Sequence, residues 1–558
     1  MLAPSRIMRI ESFPGCIAAS LLCLLILLVD CARAVSQPSP VREADVKCGK
    51  CHAEIYRNYL STPMANASGV ATEKLIPGGY THPITALHYD IALQGAQAVL
   101  TTRDRGSQNE VVQRPLSFFL GSGHLATTYL YSINDFLFES PVAWYAASNT
   151  YDMKPGLAEM KQIPPSLPME SSCLRCHMSS VQPSDSGTIN RYKGLAFLHT
   201  GITCEACHGD AEKHAVSGKK APVVNPARLT ADQRDSICVS CHLEGDVTVE
   251  RSGYSALDYR PGEPISKYLA FYVYGGENPT ARGVSEVEQF AKSTCKQASG
   301  DKMSCTSCHD PHFTPSASQR TAFFRSKCLA CHSQPSFIAA HHPENQDCTS
   351  CHMRRTGAEN IPHVAWTDHR ILRLPAPAAT ASQSDTADEL APILSPGATM
   401  RDLAMANYKA MLDGNPSLEP KAWSQLQSQR IEITDDREAL DALGVVSAAR
   451  GDGDAAEQAF RRVLELAPDD LTALSNFGAL QEKRGNRKEA LSLLRQAFAR
   501  NQAISGLAMN LARVECAAGD PAAARSTLQT TLAYNPGLED ARLLLTQLSD
   551  CGGPKGKP

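Results

Sequence analysis

The sequence has little net charge and no tract rich in Lys or Arg. Its 558 residues include 54 Lys and Arg against 58 Asp and Glu, which gives a formal net charge of −4. Proteins that bind nucleic acid usually concentrate basic residues on one face or along one helix. Composition therefore gives no support for nucleic acid as a partner. The length is sufficient for two or three domains.

Long apolar runs are absent except near the N-terminus. Arg6 and Arg9 precede an apolar run over residues 16–29, and Ala32-Arg33-Ala34 has the small-x-small pattern of a cleavage site. A transmembrane helix needs about 20 apolar residues, and this run has about 14. We therefore expect residues 1–34 to be a cleaved signal peptide, with a retained membrane anchor as the alternative. The mature chain is then periplasmic or otherwise exported, with no membrane span.

Cysteine is scarce outside one repeated pattern, Cys-x-x-Cys-His. The pattern occurs seven times and uses 14 of the 20 cysteines. Of the other six, Cys16, Cys23 and Cys31 lie in the expected signal peptide, and Cys295, Cys516 and Cys551 remain. We therefore expect no disulfide framework. The cysteines of the seven motifs, in chain order, are Cys48 and Cys51, Cys173 and Cys176, Cys204 and Cys207, Cys238 and Cys241, Cys305 and Cys308, Cys328 and Cys331, and Cys348 and Cys351.

This pattern is the attachment signature of a c-type haem. Two thiols one short turn apart reach the two vinyl groups of one porphyrin, and the following histidine binds the iron as its proximal ligand. Chance would give about 0.02 such patterns in this composition. Zinc sites and thiol–disulfide motifs do not explain a histidine fixed after the second cysteine seven times. The sequence predicts seven haem c groups, with proximal ligands His52, His177, His208, His242, His309, His332 and His352.

Ten further histidines all fall between residues 82 and 369, and none follows. They are numerous enough to give every iron a second imidazole ligand, although any one of them could instead be a surface or core residue. Met64 is a further axial candidate, because methionine also ligates haem iron and raises its reduction potential. The preferred distal candidates are His312, His214, His124 and His369, followed by His363, His199, His82, His88, His341, His342 and Met64.

The haem region is expected to span residues 42–373. Its last three motifs lie within residues 305–352, so haems attached there are neighbours and can pass electrons. Residues 85–140 contain β-type segments, at 98–102, 127–131 and 136–138, with a turn signal at Asn134-Asp135. We expect a small sheet there, and short helices and long loops elsewhere. Residues 374–398 are rich in proline and alanine and are expected to be a linker.

Residues 399–549 contain an internal repeat of 34 residues. The clear copies are predicted at 437–470, 471–504 and 505–538. Four sets of residues recur every 34 positions. Two are small residues, one is a turn glycine and one is a large apolar residue, in this order: the small residues Gly444, Gly478 and Ala512; the turn glycines Gly451, Gly485 and Gly519; the small residues Ala456, Ala490 and Ala524; and the large apolar residues Phe460, Leu494 and Leu528. The pattern resembles the tetratricopeptide repeat, and an unrelated helical bundle is the alternative. The predicted fold class is mainly α, a multihaem cytochrome c domain followed by an α-solenoid.

Several phrases resemble the cytochrome c-552/4 (c-554-type) multihaem family, in the version fused to C-terminal tetratricopeptide repeats. They are Gly121-Ser-Gly-His124, Ser140-Pro-Val-Ala-Trp144-Tyr145, Gly201-Ile-Thr-Cys204-Glu-Ala-Cys207-His208-Gly209, Asn225-Pro-Ala-Arg228, Cys308-His309-Asp-Pro-His312 and His363-Val-Ala-Trp-Thr-Asp368-His369-Arg370. The resemblance implies that His312 ligates a neighbouring haem and that the chain transfers electrons in the periplasm. Related domains often have histidine at the position of Met64, which leaves the first haem's sixth ligand open.

Three functions are compatible with these features. The first is electron transfer through closely spaced haems, with the repeat domain docking a redox partner protein. The second is a multihaem reductase of a nitrogen or sulfur oxyanion, which needs one iron with an open distal site. The absence of a Cys-x-x-Cys-Lys motif and of an eighth motif counts against it. The third is a scaffold in which haem only supports the fold. The first is preferred, and the chain is expected to be an electron carrier rather than an enzyme.

Overall fold

The computed structural model describes residues 38–104, 111–164, 167–218, 220–275, 283–341, 345–358, 361–373 and 389–551. The predicted signal peptide, residues 1–34, and the candidate ligand His342 lie outside these ranges. Within the described ranges, no helix combines the length and apolar character that a bilayer crossing requires.

Strands are concentrated in the first 400 residues. Their bounds are β1 (Ser39–Pro40), β2 (Ser68–Val70), β3 (Gly78–Thr81), β4 (Leu87–Gln94), β5 (Gln97–Asp104), β6 (Val111–Pro115), β7 (Phe118–Leu120), β8 (Ala126–Ile133), β9 (Phe136–Glu139), β10 (Val142–Tyr145), β11 (Thr150–Met153), β12 (Leu167–Pro168), β13 (Met178–Val181), β14 (Phe197–Thr200), β15 (Val247–Glu250), β16 (Leu269–Tyr274), β17 (Arg355–Gly357), β18 (Ala365–Thr367) and β19 (Leu390–Ile393).

Most helices before residue 400 have four to seven residues, with two of 12 and 13, and most of those after it have 10 to 14. Their bounds are α1 (Val41–Ala44), α2 (Val46–Gly49), α3 (Ala53–Tyr59), α4 (Ser171–Leu174), α5 (Glu205–His208), α6 (Glu212–Ser217), α7 (Ala231–His242), α8 (Glu286–Lys292), α9 (Thr294–Ser299), α10 (Cys305–Cys308), α11 (Ala317–Leu329), α12 (Pro335–Ala340), α13 (Thr349–His352), α14 (Met400–Leu412), α15 (Glu419–Ser428), α16 (Arg437–Ala449), α17 (Gly453–Leu466), α18 (Leu471–Lys483), α19 (Arg487–Arg500), α20 (Ser505–Ala517), α21 (Pro521–Tyr534) and α22 (Glu539–Thr546).

The fold class is confirmed, but β structure between residues 68 and 153 is more extensive than the small sheet predicted. A seven-stranded sheet has the order β11-β10-β8-β7-β2, with β9 and β12 continuing from β8, and a four-stranded sheet has the order β3-β4-β5-β6. The turn at Asn134 and Asp135 joins β8 to β9 with φ angles of 50° and 69°. Asn and Asp are among the residues that tolerate this left-handed conformation, which is why the turn was recognisable from sequence.

Aromatic side chains from neighbouring strands form one buried cluster in these sheets. Tyr129 and Tyr131 from β8 and Phe136 and Phe138 from β9 belong to one buried cluster. Tyr131 lies opposite Phe138 in the antiparallel register, with ring centroids 5.7 Å apart. Tyr534, at the end of α21 in the repeat region, is buried in the same cluster.

The repeat region consists of helix pairs that begin at residues 437, 471 and 505. The small residues of the repeat lie where two helices cross: a Cβ at Gly444 would lie 2.5 Å from the ring of Phe460, and one at Gly478 would lie 2.7 Å from Leu494. The turn glycines Gly451, Gly485 and Gly519 have φ angles between 80° and 84°. The residues that recur every 34 positions therefore have the same structural role in successive repeats.

The two regions share a core, and part of the predicted linker joins them. Of residues 374–398, residues 374–388 lie outside the described ranges, but β19 pairs with β16 to complete the sheet β15-β16-β19. Helix α14 packs on this sheet, and Val249, Tyr272 and Leu390 belong to one buried cluster with the repeat helices. The end of the segment predicted as a linker is therefore a structural strand.

A disulfide joins Cys516 in α20 to Cys551, which follows α22. No disulfide framework was expected from the cysteine pattern, and this bond corrects that expectation. The sequence does indicate this pairing, because Cys516 and Cys551 are the two cysteines of the repeat region and belong to no Cys-x-x-Cys-His motif.

Candidate functional site

Most of the seven motifs form one helical turn. In five of them the histidine N–H donates to the carbonyl of the first cysteine of the same motif, at 2.9–3.1 Å, in the pairs His52–Cys48, His208–Cys204, His309–Cys305, His332–Cys328 and His352–Cys348. The motif of His242 ends α7, and His177 N–H donates to Leu174. All fourteen motif thiols are free, so none is consumed by a disulfide and each is available for a thioether bond.

Three motif histidines face a second imidazole. The ring centroids of His208 and His312 are 6.0 Å apart, with 12° between the planes. Those of His309 and His369 are 6.3 Å apart at 29°, and those of His341 and His352 are 5.7 Å apart at 20°. His312 therefore lies against the histidine of the third motif rather than that of its own fifth motif.

The separation of the third pair matches the span of a shared metal ion. The Nε2 atoms of His341 and His352 are 3.4 Å apart, the distance of a long hydrogen bond in which one ring nitrogen donates to the other. An imidazole–metal bond is about 2 Å long, so two imidazoles on opposite sides of one metal place their nitrogens about 4 Å apart. The pair therefore needs to separate by only a few tenths of an ångström to take an iron between its nitrogens.

In four of the histidines expected to bind iron, a backbone carbonyl contacts the Nδ1 atom of the ring. Nδ1 of His208 lies 2.8 Å from the Val224 oxygen, and Nδ1 of His352 lies 2.7 Å from the Leu372 oxygen. His369 and His214 make the same contact with Thr367 and Ala221, at 2.8 and 3.0 Å. A carbonyl only accepts hydrogen bonds, so Nδ1 bears the proton and Nε2 keeps its lone pair. Metal-binding histidines are oriented in this way.

Burial keeps two of the paired imidazoles neutral. Burial, followed by the neighbouring His369, lowers the pKa of His309 to about 4. Burial and then His208 also lower the pKa of His312. The neutral ring is the form that binds a metal, so both side chains are in the ligating state at neutral pH.

The remaining distal candidates have varied surroundings. His82 is fully buried, and its two ring nitrogens contact Thr85 Oγ1 and the Ala158 oxygen, at 2.9 and 2.8 Å. His363 Nε2 lies 2.7 Å from a carboxylate oxygen of Asp152. In both residues the nitrogens that would bind iron are already engaged. The others are His88, with Nδ1 on Thr81 Oγ1; His124, which is exposed; His199, whose Nδ1 is buried without a described partner; and Met64, packed near Val41, Tyr59 and Ala65.

Four motif histidines face no second imidazole among the described residues. They are His52, His177, His242 and His332. The ring of His332 instead lies near that of Phe337, with centroids 5.2 Å apart and 28° between the planes. Phe337 also stacks on His341, at 4.7 Å.

Motif thiols touch one another across the sequence. Cys48 contacts Cys204, and these thiols lie within 4.8 Å of each other and of the Asp45 carboxylate. Hydrogen-bonding contacts also join Cys176 to Cys241, Cys238 to Cys305 and Cys328 to Cys348. Cys207 is close to Cys241, and Cys308 is close to Cys331. The motifs therefore follow the spatial order 1–3–4–5–6–7, with motif 2 beside motif 4.

The donor set fits haem c. It offers free thiols in pairs, a histidine on the following residue, and three pairs of imidazole rings, in one of which, His341 and His352, the Nε2 atoms are close to the separation that a shared metal ion requires. Sequence reasoning missed the carbonyl acceptors Val224 and Leu372, which have no side-chain signature. It also left open which histidine faces which motif, since that depends on contacts between distant segments.

Several solved structures are similar to part of this chain. MamA 41-end from Desulfovibrio magneticus RS-1 is 22% identical with a TM-score of 0.25, covering 27% of this chain and 85% of that one. Pseudomonas aeruginosa pilF is 21% identical with a TM-score of 0.24, covering 27% and 67%. A Thermobaculum terrenum O-GlcNAc transferase mutant is 31% identical with a TM-score of 0.19, covering 20% and 22%.

Family profiles match both regions of the chain. The profile described as "Cytochrome c554 and c-prime" matches residues 144–209, and two tetratricopeptide-repeat profiles match residues 439–474 and 483–548. Multiheme cytochrome MtrA of Shewanella baltica (strain OS185) is 25% identical over 216 residues, which are 36% of this chain and 57% of that relative. The chain thus spans little more than half the relative's length. Over these stretches the chain is similar to multihaem cytochromes of the c554 type and, in its C-terminal region, to tetratricopeptide repeats.

Proposed function

We propose that this chain is an exported, heptahaem c-type cytochrome that transfers electrons between redox partner proteins. One of those partners docks on the repeat domain. Homology to multihaem cytochromes supports electron transfer in general. The count of seven rests on the seven motifs. Export is supported by the N-terminal apolar run and by the Cys516–Cys551 disulfide, because disulfides persist in oxidising compartments.

The observation that carries the proposal is the pairing of imidazoles at three motifs. When bound, haem c supplies an iron that takes up and releases one electron. An iron with imidazoles on both sides has no free position for a substrate, so His312, His369 and His341 favour electron transfer over chemistry at motifs 3, 5 and 7. The carbonyl contacts of His208 and His352 fix the two imidazole rings. We therefore expect these ligands to move little when a bound iron is oxidised or reduced.

The proximity of motif thiols to one another supports the proposed route. Cys48–Cys204, Cys207–Cys241, Cys238–Cys305, Cys308–Cys331 and Cys328–Cys348 link successive attachment sites. Each site from the first motif to the seventh therefore has a neighbouring site. A continuous series of neighbouring sites is what electron transfer through one protein requires.

Spectroscopy of ligand variants tests this proposal. Pyridine haemochrome analysis of the exported protein is expected to give seven haems per chain. Electron paramagnetic resonance of the oxidised His369→Ala variant is expected to show one new high-spin iron, because His309 then loses its facing imidazole. His363→Ala is the matched control, since His363 lies six residues earlier and its Nε2 contacts Asp152. A new high-spin signal in His363→Ala, or none in His369→Ala, contradicts the assignment.

Docking on the repeat domain is supported by an open cleft. The cleft has a volume of about 390 Å³ and is lined by residues of α19, α20 and α21, among them Phe498, Leu511 and Ser526. Ser526→Trp is expected to fill it and to slow reduction of the haems by a periplasmic extract. Gln529→Trp, on the same helix and outside the cleft lining, is the control. Equal rates for the two variants contradict docking at this cleft.

Reduction of a nitrogen or sulfur oxyanion is the second candidate function. It is favoured by the phenyl ring of Phe337, which lies near His332 where motifs 3, 5 and 7 have an imidazole. A phenyl ring cannot ligate iron. If the sixth motif has an open iron, nitrite, hydroxylamine or sulfite will shift a high-spin signal of the wild-type protein. Seven low-spin irons that none of these molecules perturbs would exclude this function.

A further inference from the structure

Motif 2 lies to one side of the series of neighbouring attachment sites. That series follows motifs 1, 3, 4, 5, 6 and 7, and motif 2 joins it at motif 4, where Cys176 contacts Cys241. Cys241 Sγ also lies 3.8 Å from the Arg175 oxygen, and His177 lies near His242. Motif 2 is therefore a branch of the proposed route.

The loop of residues 182–192 follows motif 2 and is anchored on it. Ser171 of α4 holds both ends of this loop: its Oγ donates to the Gln182 oxygen at 2.7 Å and lies 3.1 Å from the Tyr192 hydroxyl. Tyr192 is buried and lies near Cys173 of the motif. The loop is thus fixed to the helical turn that carries the attachment site.

The tip of this loop packs on the repeat region. Ser186 Oγ donates to the Asp469 carboxylate at 2.7 Å, in the connection between α17 and α18. A Cβ at Gly187 would clash with the backbone oxygen of Asp469 and would lie 3.7 Å from Cδ of Arg500. Arg500 pairs with Asp469 at 3.4 Å and directly follows Ala499, which lines the cleft described above. The loop therefore leads from motif 2 to the edge of that cleft.

A second contact joins motif 2 to the repeat region. Glu170, which precedes α4, lies near both Cys173 and Lys409 of α14. Lys409 Nζ also donates to the Thr248 oxygen of β15 at 3.4 Å. The repeat region thus reaches motif 2 through α14 as well as through the 182–192 loop.

Motif 4, by contrast, is separated from the repeat helices by the sheet β15-β16-β19. Val239 of α7 belongs to one buried cluster with Leu269 and Phe271 of β16. The alternate residues of β16, Ala270 and Tyr272, belong to the cluster of the repeat helices. Successive residues of a strand point to opposite faces of the sheet. The sheet therefore lies between α14 and α7, the helix that ends with motif 4.

We propose that motif 2 is the site at which a redox protein docked on the repeat domain exchanges electrons with this chain. The proposal rests on the electron-transfer function above and specifies where electrons enter. In each event the reduced partner loses one electron, which reduces the iron held by His177. The electron then passes to motif 4, so that motif 2 is oxidised again. Because electron transfer slows steeply with distance, the attachment site joined to the repeat region exchanges electrons with the docked partner first.

A photoactive donor fixed on the repeat domain tests the proposal. Ala499→Cys in a Cys295→Ser background provides one reactive thiol, which is labelled with a ruthenium(II) tris-bipyridine maleimide. After a laser flash the excited ruthenium loses one electron to the chain, and haem absorbance follows the reduction. The control places the label at exposed Lys488→Cys, about 16 Å away along the same helix. We expect a fast phase of reduction from position 499 and none from position 488.

Removal of single attachment sites identifies where the electron enters. Cys173→Ser with Cys176→Ser is expected to leave six haems and to abolish the fast phase from position 499. Cys328→Ser with Cys331→Ser removes motif 6 instead and is expected to keep the fast phase. A fluorescent dye at position 499 adds a readout without electron transfer, because haem quenches nearby dyes. Its lifetime is expected to lengthen when motif 2 is removed and to change little when motif 6 is removed.

Haem content and reduction by dithionite are measured on every protein. A seven-haem chain that dithionite does not reduce contradicts the proposed function itself. Full reduction by dithionite with equal rates from positions 499 and 488, or a fast phase that survives the loss of motif 2, overturns only the role of motif 2. If the motif 2 variant does not assemble, Asp469→Ala replaces it, because this change releases the tip of the loop and leaves every motif intact. It is expected to slow the fast phase with seven haems bound, and an unchanged fast phase overturns the proposal.

Discussion

Two helices of nearly equal length show how differently the two regions of this molecule are stabilised. Helix α17 in the repeat region has 14 residues and buries Ala456, Ala459, Phe460 and Val463 in one stripe. Helix α11 in the haem region has 13 residues and buries none of its side chains against protein. An amphipathic stripe lets a helix bury its apolar face. Helix α11 instead ends at Cys328 of motif 6, so covalent attachment of haem is the interaction expected to fix it.

The strongest test of this comparison removes attachment sites. Replacing Cys328, Cys331, Cys348 and Cys351 by Ser is expected to give five haems per chain instead of seven and to expose residues 302–357 to limited proteolysis. Helices α16–α21 are expected to stay protected, because their cores are protein. Haemochrome analysis and mass spectrometry of the fragments measure both effects. Cys295→Ser is the control and is expected to keep seven haems; unchanged protease resistance in the quadruple variant would refute the comparison.

The reverse experiment damages the repeat core. Phe460→Ala is expected to lower the free energy of unfolding of the repeat region by about 3–5 kcal/mol, the usual cost of removing a buried aromatic ring. Phe460 is fully buried between Gly444 and Phe477. Denaturant unfolding monitored by circular dichroism gives the change, and the haem count is expected to remain seven. A reduced haem count would mean that the regions do not assemble independently.

A smaller effect is expected from the disulfide. Cys516→Ser with Cys551→Ser removes a link between residues 35 apart and should destabilise α20–α22 by about 2–4 kcal/mol, mainly through the greater freedom of the unfolded chain. Hydrogen exchange of α22 reports the loss locally. The same loss is expected when the wild-type protein is treated with a thiol reductant. Equal exchange before and after reduction would show that the bond does not hold the last helix.

The smallest expected effect concerns pH. Burial, followed by the nearby carboxylate of Asp470, raises the pKa of Asp441 to about 9. The folded chain then keeps a proton that the unfolded chain releases near pH 4, so stability falls as pH rises from about 4 to 9. Asp441→Asn is expected to gain about 1–3 kcal/mol at pH 8 and little at pH 4. Thermal unfolding across this range measures the slope, with exposed Asp454→Asn as control; an unchanged slope in Asp441→Asn contradicts the assignment.

The same contrast explains which features could be predicted. The seven motifs, the 34-residue period and the strands β5, β8 and β9 depend on residues close together in the chain, and each was expected at or near its observed position. The strand β19 inside the expected linker was missed, because the strand that pairs with it among the described residues, β16, lies more than a hundred residues away. The role of Tyr534 was missed for the same reason, since it packs against Phe136 with ring centroids 5.9 Å apart.

The sequence by itself predicted seven sites of haem attachment and determined that helical repeats follow, because the attachment motif and repeat packing both depend on short, local spacings. Only the tertiary structure decided which imidazole faces which motif, as for His341 and His352, and which thiols are neighbours, as for Cys48 and Cys204. Those pairings arise where distant segments meet. Their geometry depends on the path of the whole chain, which no local pattern records.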